Sequence, residues 1–85
     1  MRLDKFLKVS RLIKRRAVAK SVVEEGRCQV NGRVAKPSTM VSVGDRVLLE
    51  LPRGRMEIEV AAIRESVRQA DAADMYRVVA GEGTY

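Results

Sequence analysis

Histidine is absent from the 85 residues, and cysteine occurs once, at Cys28. Without histidine the chain lacks both the commonest general base near neutral pH and the usual nitrogen ligand of zinc. A single cysteine excludes an internal disulfide and any cysteine-rich metal site, and it fits a reducing cytoplasm. No metal or other cofactor is therefore expected. Aromatic residues are nearly as scarce: Phe6, Tyr76 and Tyr85 are all there are. Phe6 falls on an apolar stripe, so no platform remains on which splayed single-stranded bases could stack. Long apolar runs are missing as well. No stretch of seven follows the basic N-terminus, which argues against a secretory leader, and nothing reaches the length of a membrane span.

What is present is positive charge, and it is unevenly placed. Seventeen Lys and Arg stand against eleven Asp and Glu, a formal net charge of +6 with a pI near 10.1. Residues 1–36 hold 11 cations and 3 anions, whereas residues 37–85 hold 6 and 8. The first part is thus strongly basic and the remainder mildly acidic. Soluble surfaces usually mix both signs. Residues 1–20 carry eight cations and a single anion, Asp4. Such a balance points to a polyanion. A chain of this length forms one domain, 1–85, with a limited core and little room for a substrate pocket.

Hydrophobic spacing predicts the elements. Leu3, Phe6 and Leu7 lie at i, i+3, i+4, giving a short helix over about Leu3–Ser10, with Arg2, Lys5 and Lys8 on the neighbouring stripe. Asp4 stands where an N-cap or first-turn carboxylate would favour the helix dipole. Val18, Ala19, Val22 and Val23 define a second helix over about Lys14–Glu25, stopped by Gly26. Arg16 and Lys20, four apart, share a face of it, with Arg15 alongside. Leu12 and Ile13 fill the bend between the helices. Asn31-Gly32 between two short runs predicts a two-residue hairpin. Alternation over Arg46–Leu51 and again from Met56 to Ile63 predicts strands of a half-buried antiparallel sheet, joined by Pro52-Arg53-Gly54-Arg55. Gln69–Tyr76 reads as a helical turn or two, and Gly81, Gly83 and Tyr85 as a frayed end.

Catalysis finds little support. Glu57 and Glu59 share one strand face and read as solvated strand residues. Cys28 lies in a predicted strand without a base beside it and reads as a small packing residue.

Several segments are familiar together: Arg2-Leu3-Asp4-Lys5-Phe6-Leu7, the basic Lys14-Arg15-Arg16-Ala17, Val22-Val23-Glu24-Glu25-Gly26, Val30-Asn31-Gly32, Val34, Lys36-Pro37 and Val43-Gly44-Asp45. This series resembles the S-four (S4) domain, the αL RNA-binding motif, over roughly Met1–Leu51. The resemblance implies an α+β fold, two N-terminal helices on a small, mainly antiparallel sheet, with a short C-terminal helix in the segment 64–85. Within the family the chain is most similar to stand-alone bacterial ribosome quality-control factors, on its opening sixteen residues and on Ala72-Ala73-Asp74-Met75-Tyr76. That similarity implies a monomer that binds large-subunit rRNA and peptidyl-tRNA on the dissociated large ribosomal subunit, while an RqcH-like tailing factor adds C-terminal alanine. The small heat-shock members of the family also bind dissociated large subunits but carry a long basic C-terminal extension, which these residues do not show.

The face shared by the first helix and the start of the second is therefore the candidate RNA-binding site. Arginine grips two phosphate oxygens or a base edge with a planar fork, which ranks Arg2, Arg11, Arg15 and Arg16 first. Lys5, Lys14 and Lys20 follow. Lys8 faces either RNA or solvent. Arg27, Arg33 and Lys36 could extend the surface through the hairpin. Asp4 matches the family motif, and the reading favoured for it is a cap or an ion-pair partner that orients an arginine. With no stacking platform, duplex or compact folded RNA is the better match. An architectural DNA-binding protein and an adaptor for an acidic protein remain alternatives from other classes; neither requires a membrane.

Overall fold

The apolar spacing at the start of the chain forms helix α1 (Leu3–Val9), which buries Leu3, Phe6, Leu7 and Val9. The computed structural model describes residues 1–65 and 68–82. Ser10 caps α1, and its buried hydroxyl donates to the Leu7 carbonyl at 3.2 Å. Arg11 then turns the chain with φ +66, donating its N–H to the Lys8 carbonyl at 3.1 Å. The left-handed region costs a residue with a β-carbon about 1 kcal/mol or more. Leu12 and Ile13 pack in the bend as expected, with Ile13 almost wholly buried.

Helix α2 covers Arg16–Glu24, two residues shorter at its start than the spacing predicts. Lys14 and Arg15 lie on the connecting segment, with Arg15 extended at the N-cap (φ −121, ψ 133). The reason is local: no Ser, Thr, Asp or Asn precedes the helix, so nothing in the sequence marks the boundary. At the other end Gly26, at φ +79, closes a Schellman turn. Its N–H donates to Val23 at 3.0 Å, and that of Arg27 to Val22 at 3.3 Å.

Strands β1 (Cys28–Val30) and β2 (Arg33–Val34) form the hairpin around Asn31-Gly32, both at positive φ. Strands β3 (Arg46–Leu51) and β4 (Gly54–Val60) pair in register from Arg46↔Glu59 to Leu51↔Gly54. The second strand ends at Val60, not Ile63, where the backbone turns away to a 3-10 helix (Gln69–Met75). The C-terminal end differs from the expectation. Tyr76–Glu82 is not frayed but forms β5, antiparallel to β4. Gly83 and Tyr85 lie outside the described residues. The sheet order is β2-β1-β3-β4-β5, antiparallel throughout.

One face of this sheet meets the helices. Leu3, Phe6, Leu7, Ile13 and Val23 join Val47, Leu49, Ile58, Val60 and Met75 in a single core. A β-bulge between Glu57 and Ile58 shifts the β4–β5 register. Gly81, at φ +72, lies so close to β4 that a β-carbon there would run into the Arg55 carbonyl.

Two expected outcomes follow from the packing. Phe6→Ala should lose about 3–5 kcal/mol in denaturant unfolding, because the ring is wholly buried. Burial also pushes the Cys28 thiol up from 9.0 to about 12. The folded chain therefore holds this proton more tightly than the unfolded one. The resulting stability is fully present below pH 9.0 and is lost as pH rises toward about 12. Unfolding of wild type and Cys28→Ala, followed across that window, should converge in stability as the pH rises; parallel curves would contradict the assignment.

Candidate nucleic-acid interface

The first turn of a helix leaves backbone N–H groups without partners. In α1 they are taken up by the protein itself. Arg2 bridges to Met40 in antiparallel fashion, which lays the Pro37–Val41 loop across the helix start. The N–H of Leu3 donates to Thr39 at 2.7 Å, that of Asp4 to Pro37 at 3.2 Å, and Val41 donates to Met1 at 2.9 Å. The Lys5 N–H donates to Asp4 Oδ1 at 2.8 Å. Asp4 is thus not the N-cap; Arg2 occupies that position, and loop carbonyls do the capping.

The Asp4 carboxylate has another task. It is nearly wholly buried, yet it holds two guanidinium groups. Arg2 Nη2 donates to its Oδ2 at 3.2 Å, and Arg16 Nη2 approaches its Oδ1 at 3.5 Å. One arginine stands at the entrance to α1 and the other in the first turn of α2. Their side chains remain 47% and 49% exposed. The ion-pair reading of Asp4 is the one this geometry matches. The carboxylate neutralises one of the two charges and fixes where both forks sit, leaving their outer edges open to an anion.

The start of α2 is arranged differently from that of α1. It has no side-chain cap and no acidic residue in its first turn. Lys14, Arg15 and Arg16 crowd there instead, against the positive end of the helix dipole. That is unfavourable for the helix alone and favourable for a bound phosphate. Lys20, one turn further on, is exposed on the same face as Arg16.

The remaining candidates divide. Lys5 is engaged with the Glu65 carboxylate, and this contact holds the Glu65 carboxyl below the usual range. Glu65 is fully exposed, so water and salt screen the pair and an incoming phosphate can replace it. Arg27 pairs with Glu25 at 3.2 Å, beyond the far end of α2. Among the described residues, Lys8, Arg11, Lys14, Arg15, Lys20, Arg33 and Lys36 form no ion pair. All seven are exposed. Arg33 lies on the edge strand β2, and Lys36 begins the loop that covers α1.

The opposite face of the sheet carries a different balance. Arg46 sits 3.7 Å from Glu57 and 3.8 Å from Glu59, and Arg77 also pairs with Glu59. The charges of Arg46 and Arg77 are thus compensated within the sheet by Glu57 and Glu59. Glu57 and Glu59 do share one face, as the alternation predicts, and arginines occupy them. Cys28 is buried and its thiol is held neutral. Sequence reasoning missed the Lys5–Glu65 contact and the loop over α1, since neither leaves a local signal. It also paired Arg16 with Lys20 without seeing that Arg2 meets Arg16 at Asp4.

A family model described as S4 domain matches residues 1–47. The chain is 50% identical over 78 residues to the RQC P-site tRNA stabilizing factor of Halalkalibacterium halodurans, covering 92% of this chain and 89% of that one. It is 47% identical over 79 residues to the Streptococcus pneumoniae protein of the same name, covering 93% and 90%. The solved trimeric structure of Vibrio cholerae Heat Shock Protein 15 superposes with a TM-score of 0.87 at 36% identity, covering 94% of this chain and 82% of that one.

The shared carboxylate provides a test in which charge and geometry predict opposite signs. Asp4→Asn raises the net charge by one, and a field set by net charge alone would then bind RNA more tightly. Loss of the common anchor should instead weaken binding several-fold and reduce stability by about 1–2 kcal/mol. Fluorescence titration with a structured RNA and thermal unfolding would measure both; tighter binding by the variant would overturn the geometric account.

Proposed function

The chain belongs to the S4 domain family, and we propose that it is a non-catalytic, cytoplasmic RNA-binding factor of bacterial ribosome quality control. In this reading the helical face binds rRNA and peptidyl-tRNA on the dissociated large ribosomal subunit, as a monomer. It keeps the tRNA in place while an RqcH-like factor extends the stalled chain with C-terminal alanine. The observation that carries the reading is the pair of half-exposed arginines, Arg2 and Arg16, brought together from the two helices by buried Asp4. Around them stand Lys14, Arg15 and Lys20 with no ion-pair partner among the described residues. The names of the similar proteins support the tRNA and quality-control part.

The chemistry suits the task. Lysine and arginine neutralise phosphates and release counterions, which supplies affinity without reading sequence. A folded tRNA or rRNA helix presents closely spaced phosphates and 2′-hydroxyls in a fixed shape, which a rigid two-helix face can match. Arg2 and Arg16, the rigid members of the face, supply position. Lys14 and Arg15, which precede the helix, and Lys20, which has no ion-pair partner among the described residues, supply field. Lys5 joins when phosphate displaces Glu65. Lys8, Arg33 and Lys36 lie further out and add to the field. Arg27 lies beyond the far end of α2 beside Glu25 and contributes least.

Purified protein should bind large subunits carrying P-site tRNA with a log–log salt slope of roughly −3 to −5, for about four to six phosphates neutralised. Arg2→Ala with Arg16→Ala should lose roughly ten- to a hundred-fold in affinity, equivalent to about 1.5–3 kcal/mol. In cells the double variant should leave the free large-subunit fractions of a sucrose gradient and abolish alanine tails on a non-stop reporter. Wild-type tailing by a folded double variant would overturn the proposal. Co-sedimentation lost with tailing intact would favour the alternative of a large-subunit recycling role.

A further inference from the structure

Seven described residues adopt positive φ, and five of them are glycines. The other two are Asn31 and Arg11. Asn31 is accounted for by the fold: its Nδ2 donates to Asp45 at 3.2 Å, and its Oδ1 accepts from the Arg46 N–H at 2.9 Å. Asparagine also tolerates the left-handed region better than most residues. Arg11 has neither excuse. It is exposed, and among the described residues its side chain makes no hydrogen bond or ion pair. The same backbone task at the end of α2 falls to Gly26, at φ +79 with open space where a β-carbon would sit. The chain therefore uses glycine at one helix end and a strained arginine at the other.

Strain held by a side chain that does nothing for the fold points outward, to something the side chain touches when the protein is in use. We propose that Arg11 is a second RNA-phosphate anchor, set at the elbow between α1 and α2 and held there against its own backbone preference. This deepens the RNA-binding reading and rests on it. The left-handed turn leaves the long side chain exposed just beyond the end of α1. Asp4 and Arg11 are seven residues apart along α1 and its cap, roughly 10 Å at the helical rise of about 1.5 Å per residue. The Arg2–Asp4–Arg16 cluster and Arg11 thus hold the two ends of one short helix. Contacts at both ends would fix the angle at which an RNA backbone crosses it, which a single cluster could not do. Arginine suits the position because its rigid fork loses little freedom on gripping a phosphate.

Substitution separates the two roles of the position. Arg11→Gly and Arg11→Asn relieve the strain and remove the anchor. Both should raise Tm, the glycine variant by about 4 °C, and both should bind purified large subunits carrying P-site tRNA about ten-fold more weakly than wild type. Arg11→Lys keeps strain and charge, so its Tm should match wild type and its affinity should exceed that of the glycine variant. Wild-type affinity in Arg11→Gly would overturn the anchor while leaving the RNA-binding reading intact. A lower Tm in both neutral variants would show that Arg11 serves the fold and would overturn it as well. Failure of the wild-type protein itself to bind these subunits would take down the RNA-binding reading, and the anchor with it.

Discussion

Asp4 is buried between two helices, and a carboxylate in such a place must be neutralised where it stands. Arg2 and Arg16 do this from opposite sides, at 3.2 and 3.5 Å. Much of the functional geometry depends on that requirement. The carboxylate draws the start of α2 toward the start of α1, and so decides which residues of the basic run face outward together. It also spares the protein an unrelieved concentration of positive charge. Two guanidinium groups side by side would repel; with a carboxylate beneath them they become a fixed fork with one net charge. The stabilisation need not be large, because half-exposed arginines are well hydrated. What the contact supplies is position.

A second constraint is the asymmetry of the two helix starts. The loop Pro37–Val41 closes the N-terminus of α1 with backbone carbonyls, so α1 is finished as a structural element before any ligand arrives. The start of α2 has no side-chain cap and is surrounded by cations. One helix end is thus closed by the fold, and the other is left uncapped by side chains and basic. The loop that completes α1 comes from beyond the hairpin, which ties α1 to the sheet through hydrogen bonds as well as through the core.

Much of this was legible in the sequence, and the parts that were not share physical causes. Leu3, Phe6 and Leu7 announce α1 because helical spacing is local. Asn31-Gly32 announces its hairpin because few other pairs take positive φ twice. The alternation of Val47, Leu49 and Leu51 announces a half-buried strand. The basic residues that the S4 resemblance singled out do lie on and between α1 and α2. By contrast β5 was unreadable: Val78, Val79 and Ala80 run together without alternation, because the bulge shifts the register and Gly81 bends the strand. The start of α2 was placed two residues early because a basic run has no boundary signal of its own. The Lys5–Glu65 pair joins residues sixty positions apart, and nothing in either neighbourhood foretells it.

The bulge in the outer strand also bears on how these molecules treat one another. A five-stranded open sheet has two rims, each a row of backbone groups that a stray strand could join. One rim is β2, only two residues long. The other is β5, long enough to recruit a neighbour, but its slipped register and the kink at Gly81 spoil the flat, evenly spaced ladder such recruitment needs. The irregularity that hid this strand from pattern reading thus also makes it a poor template for edge-to-edge strand addition.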